Sequence, residues 1–273
     1  MKKILAVLSE YGYWGEELVG PLETFDQAGY TTVFATPKGK IPHALPPSMD
    51  ASFVDPPLGR TVVSEEMAKK TRDIDSSGRL NNPENIEKMF PERPYLSSPN
   101  YLKEMESYYS LLEKAERGLD RYDALLIVGG SGPIVDMVNN RRVHDMILAF
   151  YKKDKPIAVE CYGVTCLAFA RDFNLRKSII WGKHVTGHAL ELDYKEGTGF
   201  LGTDFVIGPP PYPLEYILRD AVGPNGQYHG NVGQRTSVIV DYPFISARST
   251  ACSYLCGQKL VEVLENGLRK YGW

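Results

Sequence analysis

The stretch with the most chemistry per residue is 158–166, AVECYGVTC. An apolar run leads into Cys161, a glycine follows two places later, and a helical pattern begins at once. That order describes a nucleophile elbow, in which a tight strand-to-helix turn exposes the sulfur and the following helix N-terminus lowers the thiol pKa. The same pattern also fits a small buried residue closing a strand, since free cysteine packs as an apolar side chain. In the elbow reading, the backbone N–H groups of Tyr162 and Gly130 are the candidates for an oxyanion hole. Cys166 lies inside the apolar VTCLAFA and is expected to be core, as are Cys252 and Cys256, which share one face of a later helix.

A thiol nucleophile needs an acid or base within reach. Five histidines are available: 43, 144, 184, 188 and 229. His43 lies in a proline-rich loop, and His144 falls on the polar part of an amphipathic helix. His188 closes a strand-like segment beside a glycine and is the expected partner of Cys161, with His229 in GQYHGNVG as the alternative. His184 and His188 have the spacing of a helical metal pair. On a strand, at about 3.3 Å per residue, they stand roughly 13 Å apart, so no metal site is expected. Glu160 is unusual, because a carboxylate at the end of a buried strand is costly unless paired or protonated. Arg248 is its expected partner, and solvation at the sheet edge is the other reading.

The elements that must hold these residues are short, β-branched and alternate with helices. Strands are expected at 3–9, 31–37, 122–130, 156–161, 178–188, 236–241 and 244–249. Helices are expected after strand 1 as far as Ala28-Gly29, at 141–153, over 164–173, and from 251 towards the C-terminus. Such alternation predicts an α/β fold with a mostly parallel sheet covered on both faces. Ligands then bind beyond the carboxyl ends of the strands, where Gly129-Gly130-Ser131-Gly132, Cys161, His188 and Arg248 fall, with Glu16 and Glu17 after strand 1. Residues 46–120 break the rhythm with a polar, proline-rich stretch too long for an ordinary loop. They read as an insertion, either on the surface or as a cap over the strand ends.

The totals exclude several classes. The chain has 273 residues with 31 basic and 34 acidic side chains, a formal net charge of −3, so no global basic field points to nucleic acid or anionic lipid. No apolar run approaches the roughly 20 residues of a bilayer span. The opening MKKILAVLSE reads as a first strand rather than a signal peptide. Four cysteines without a CxxC pair imply no disulfide framework, and a reduced, cytoplasmic setting is expected.

In order along the chain, EELVGPLETFDQAGYTTVFATPKGK, YDALLIVGGSGPIVDM, KPIAVECYGVTCLA, GKHVTGHALELD and FISARSTACSYLCGQKLVEVL resemble the conserved segments of the ThiJ/PfpI superfamily. That superfamily contains the Parkinsonism-associated deglycase and shares its fold with class I glutamine amidotransferases. The resemblance implies a flavodoxin-like three-layer αβα sandwich, a single domain over 1–273 with the 46–120 insertion as a cap, and a homodimer. It implies Cys161 as nucleophile, Glu17 on the family's acidic residue, His188 as the histidine beside the cysteine, and no cofactor. It also places Gly129, Ser131, Glu160 and Arg248 around a small-molecule substrate, with Arg248 on the family's arginine. The length and insertion resemble the larger branch of chaperone-type glyoxalases. Three positions depart from it: Tyr162 stands where those glyoxalases carry histidine, Ser131 replaces the histidine of the glycine loop, and Glu160 replaces an apolar residue. The expected activity is cysteine-dependent hydrolysis, hydration or lyase chemistry on a small carbonyl, amide or isonitrile. Glyoxalase or deglycase chemistry, and a non-enzymatic redox sensor or holdase chaperone, are the alternatives.

Overall fold

Side chains alternate along each apolar strand and so build both faces of one sheet. The structure is a computed structural model that describes residues 1–56, 58–193 and 214–267. The main sheet uses β1 (Lys3–Val7), β2 (Thr31–Thr36), β5 (Glu84–Asn85), β6 (Ala124–Ile127), β7 (Ile157–Glu160), β10 (Val238–Asp241) and β11 (Phe244–Ala247). Their order is β10-β11-β7-β6-β1-β2-β5, parallel throughout except for the antiparallel β10–β11 pair. Leu5, Val7, Leu125, Ile127, Ile157 and Val159 face one core with α4 (Tyr101–Gly118), α6 (Arg141–Lys152) and α7 (Thr165–Phe169). Ile4, Ala6, Leu126 and Ala158 face the other, with α1 (Gly15–Gln27) and α10 (Ser253–Asn266). The result is the flavodoxin-like three-layer sandwich.

The layer formed by α1 and α10 is drawn in close. A Cβ on Gly257 would stand 2.8 Å from Pro21 Cα, and one on Gly20 would stand 2.8 Å from the Tyr254 nitrogen. The two helices therefore meet backbone to backbone, which fixes the N-terminal turn of α1 above the sheet.

Residues 46–120 split into parts with different destinations. Helix α2 (Glu65–Ser76) packs on α1, with Thr71 filling the space beside Gly15, and Lys70 bonds Glu23 (3.0 Å) and the Tyr254 hydroxyl (3.2 Å). Strand β5 extends the main sheet beside β2. Helix α4 is tied to α6 by the Tyr108 hydroxyl donating to Asp145 (2.8 Å). The small β3–β4 hairpin (Val54–Asp55, Arg60–Thr61) approaches the strand ends, where burial raises the Asp55 pKa and His188 and Asp193 lie close enough to modulate it.

Several expected elements are shorter or differently paired. Residues 178–188 are not a strand of the main sheet. They turn at Ser178–Trp181, pass through Gly182 at φ 76°, and form a strand only as β8 (His184–Val185), which pairs with β9 (Gln227–Tyr228). The helix expected over 164–173 stops at Phe169, because Ala170 turns extended and Arg171 bridges Ser178. His144 is not on a polar face: it is buried with Nε2 2.7 Å from the Val138 carbonyl, and burial lowers its pKa to about 4. Cys166, Cys252 and Cys256 are all fully buried, as expected of core.

Glu160 is placed by the same alternation. Two residues from Ala158, its side chain takes the α1/α10 face and is fully buried among Ser253, Cys252 and Cys256. It is neither solvated at the sheet edge nor paired with Arg248, whose guanidinium is engaged elsewhere. Burial, with Glu17 nearby, pushes the carboxyl well above its ordinary range, so Glu160 is held as a neutral acid.

Two outcomes follow. Gly257→Ala forces a Cβ against Pro21 and should cost about 1–3 kcal/mol, read as a lower thermal midpoint; an unchanged midpoint would contradict the close helix contact. The unfolded chain releases the Glu160 proton near pH 4.5 while the folded chain keeps it, so this residue lowers stability progressively as pH rises above that value. Glu160→Gln removes the penalty, and its midpoint advantage over the parent should be larger at pH 8 than at pH 5. A pH-independent difference would show that Glu160 is already ionised.

Candidate active site

Strand β7 runs extended to Glu160 (φ −126°, ψ 145°) and then reverses at Cys161, whose φ of 51° lies in the left-handed region. That conformation costs a non-glycine residue of order 1–3 kcal/mol and persists only where the surroundings enforce it. A 3₁₀ turn over Cys161–Val164 leads directly into α7. The chain therefore makes the tight strand-to-helix turn expected at Cys161. The N–H groups of Tyr162 and Gly130, the pair expected as an oxyanion hole, lie close enough to Cys161 Sγ to lower its pKa.

The glycine loop is shaped by what lies against it. A Cβ on Gly129 would stand 2.2 Å from Glu17 Oε2 and 2.8 Å from Cys161 Cβ, so only glycine lets the acid and the thiol share this space. Gly130 has φ 95°, and its missing Cβ makes room for the Trp14 nitrogen at 2.5 Å. Ser131 is half-buried, and its carbonyl accepts the Ile134 N–H (3.2 Å) at the start of α5 (Pro133–Asp136).

Glu17 enters from the first turn of α1 and is fully buried. Burial raises its pKa to about 8, against the opposing influence of the neighbouring Cys161 thiol and Gly130 N–H, so it is protonated at neutral pH; neither carboxyl oxygen has an aligned hydrogen-bond partner among the described residues. Burial also raises the Cys161 thiol, and an ionised Glu17 would raise it further, while the two N–H groups pull it down. Burial therefore holds Cys161 as the thiol, contrary to the lowered pKa expected from the following helix N-terminus, and ionising Glu17 would hold it there more firmly.

His188 comes from the loop after β8. Its Nδ1 is 3.2 Å from Cys161 Sγ, and its Nε2 is 2.8 Å from Asp193 Oδ1, close in distance though not aligned as a hydrogen bond. The Tyr162 ring stacks on the imidazole with centroids 4.0 Å apart, and its hydroxyl donates to the same Asp193 oxygen. Asp193 ends the short helix α8 (Leu190–Asp193) and is buried. His229, the alternative partner, is instead 2.8 Å from His184 Nδ1.

Four of the expected residues therefore converge on the sulfur: Glu17, His188, Gly130 and Tyr162. Glu160 lies in the layer beneath. Arg248 is buried and donates to the carbonyls of Gly230 (2.7 Å) and Asn231 (2.6 Å), and to that of Gln234, with Glu191 at 3.4 Å. It pins the 230–235 loop and α8 together. Sequence reasoning missed Asp193 and the side chain of Tyr162. The acids of HALELD were the available signal, but Glu191 turns to Arg248 and Asp193 to His188, a choice set by the turn of α8. Among the described residues, no group of three or more histidine, cysteine or acidic side chains could hold a metal, and no helix is long and apolar enough to cross a membrane.

A family model described as ThiJ/PfpI family-like matches residues 8–187. No curated protein matches the chain. Solved structures with the same fold include Rapid Encystment Protein 24 KDa from Francisella tularensis, with a TM-score of 0.67 at 20% identity over 97% of this chain and 99% of that one. Glyoxalase III from Candida albicans is similar with a TM-score of 0.59 at 15% identity, over 97% and 98%. DJ-1beta from Drosophila melanogaster gives 0.51 at 14%, over 96% and 90%. The family match covers most of the chain, including the glycine loop and the Cys161 turn, and so the chain belongs to the ThiJ/PfpI family.

Proposed function

We propose that the protein is a cysteine-dependent enzyme that acts on a small electrophile, a carbonyl, amide or isonitrile carbon, without a cofactor. The observation that carries this reading is the strained backbone of Cys161, which holds Sγ 3.2 Å from His188 Nδ1. Strain at one residue, with an imidazole and a buried carboxyl on its side chain, is arranged for a nucleophile rather than for packing.

The thiol proton passes to His188 Nδ1, and Asp193 faces the Nε2–H of the imidazolium that forms. For a carbonyl substrate, the thiolate lone pair forms the S–C bond while the C=O π pair moves onto oxygen. The Gly130 and Tyr162 N–H groups then meet the developing oxyanion. Protonated Glu17 lies beside the sulfur, placed to donate a hydrogen bond to the thiolate as it forms, and moves no net charge into the pocket. The β3–β4 hairpin, whose Asp55 lies close enough to His188 and Asp193 to be influenced by them, supports a cap that screens this chemistry from water. A homodimer and a cytoplasmic setting remain part of the proposal.

A second reading, glyoxalase chemistry on 2-oxoaldehydes, is favoured by the reach of His188. The departure at Tyr162 does not deprive the thiol of a base, because the imidazole arrives from another segment.

A panel of 2-oxoaldehydes, amides and isonitriles, each assayed with the parent and with Cys161→Ser, tests the reading. Turnover of at least one class is expected from the parent, and its loss by several hundredfold or more in the variant. Full turnover by Cys161→Ser would sink the mechanism. Glu17→Leu removes a hydrogen bond to a charged sulfur, worth about 1.5–3 kcal/mol, and should slow iodoacetamide alkylation of Cys161 at pH 7 by roughly 10- to 100-fold. Because Glu17 loses its proton at about 8, the parent's alkylation rate should rise less steeply above that pH than a lone thiol's. Glu17→Gln should restore the simple rise, and an identical profile in parent and variant would remove Glu17 from the site.

A further inference from the structure

Tyr162 directly follows the nucleophile, yet its side chain folds back over the histidine. Its ring lies 4.0 Å from the His188 ring at an interplanar angle of 23°, and its hydroxyl reaches Asp193 Oδ1. That same oxygen stands 2.8 Å from His188 Nε2. The imidazole is therefore bounded by Cys161 Sγ at one nitrogen, by Asp193 at the other, and by the phenol on a face. Asp193 Oδ2 is buried without a hydrogen-bond partner, so the Tyr162 hydroxyl is the hydrogen-bond donor that fixes this carboxylate among the described residues. Burial and the adjacent Asp193 hold the phenol protonated, and it can only donate in this contact.

We propose that the Tyr162 side chain is the positioning residue of the site: its hydroxyl fixes Asp193, and its ring holds His188 in line with the Cys161 sulfur. The inference rests on the reading of Cys161 and His188 as the working pair. Its physical content is charge as well as geometry. When the thiol proton moves to His188, the imidazolium lies against the electron-rich face of a phenol and beside a carboxylate whose orientation the same phenol sets. One residue after the elbow thus supports the ion pair in two ways, and the two can be separated by substitution. Tyr162→Phe keeps the ring and deletes the hydroxyl, whereas Tyr162→Leu deletes both.

The test uses iodoacetamide alkylation of Cys161 as a function of pH, which needs no substrate and so stands or falls apart from the assigned activity. Tyr162→Phe should slow alkylation at pH 7 about threefold to tenfold. Tyr162→Leu should slow it about tenfold to thirtyfold and displace the profile to higher pH. In a double-mutant cycle, Tyr162→Phe should have little further effect once Asp193→Asn is present, because the hydroxyl acts through that carboxylate. The His188 ring-proton NMR shift, moved by the stacked phenol, should be kept in Tyr162→Phe and lost in Tyr162→Leu. Additive effects of Tyr162→Phe and Asp193→Asn, or an unshifted pH profile in a folded Tyr162→Leu, would overturn the proposal. If these expectations hold while no substrate turns over, the positioning role stands and the enzymatic reading fails alone.

Discussion

Everything at this site depends on one backbone angle. Cys161 sits at φ 51°, where a side chain is tolerated only under compulsion, and that angle turns Sγ towards the glycine loop instead of into a sheet face. The compulsion comes from both sides. Strand β7 is locked between β6 and β11, and the 3₁₀ turn that follows is held against β6, where a Cβ on Gly163 would stand 3.1 Å from Ile127 Cγ2. The close seat of α10 on α1 then lowers Glu17 into the remaining space. Strain at one residue is thus maintained by the rigidity of a parallel sheet.

The second theme is how the fold tolerates acids out of water. Glu17 and Glu160 are both fully buried, and the neutral form is the one that burial selects. The consequences differ by position. Glu17 lies beside Cys161, where its proton serves the proposed chemistry. Glu160 lies one layer down among Ser253, Cys252 and Cys256, where its neutrality costs stability and contributes no contact to the sulfur. Asp193 is a third case, a carboxylate held by Tyr162 beside His188.

Much of this was legible in the sequence because it follows from short-range rules. Alternating apolar runs located the sheet, and strand–Cys–x–Gly–helix located the tight turn at Cys161. What sequence could not show was the direction of side chains after irregular segments. His188 was expected at the end of a sheet strand and instead follows a two-residue ladder, because Gly182 and the turn at Ser178–Trp181 break the run. Arg248 carried a charge that invited pairing with Glu160. Its hydrogen bonds to loop carbonyls depend on a loop whose path has no periodic signal. Residues 46–120 were visible as an interruption, but their division among the sheet edge, α1, α6 and the strand ends depends on long-range contacts. Tyr162 departs from the family pattern by residue type, but the direction in which its ring folds, onto His188, has no signal in the sequence.

The central claim is that one of four cysteines is an activated nucleophile and the other three are core. Limiting labelling of the native protein with an isotope-coded alkylating reagent, followed by peptide mapping, reads all four at once. The account predicts label on Cys161 alone, with Cys166, Cys252 and Cys256 protected until unfolding, and a large loss of label in His188→Ala. Equal labelling of Cys161 and the buried three, or an unchanged rate in His188→Ala, would contradict it.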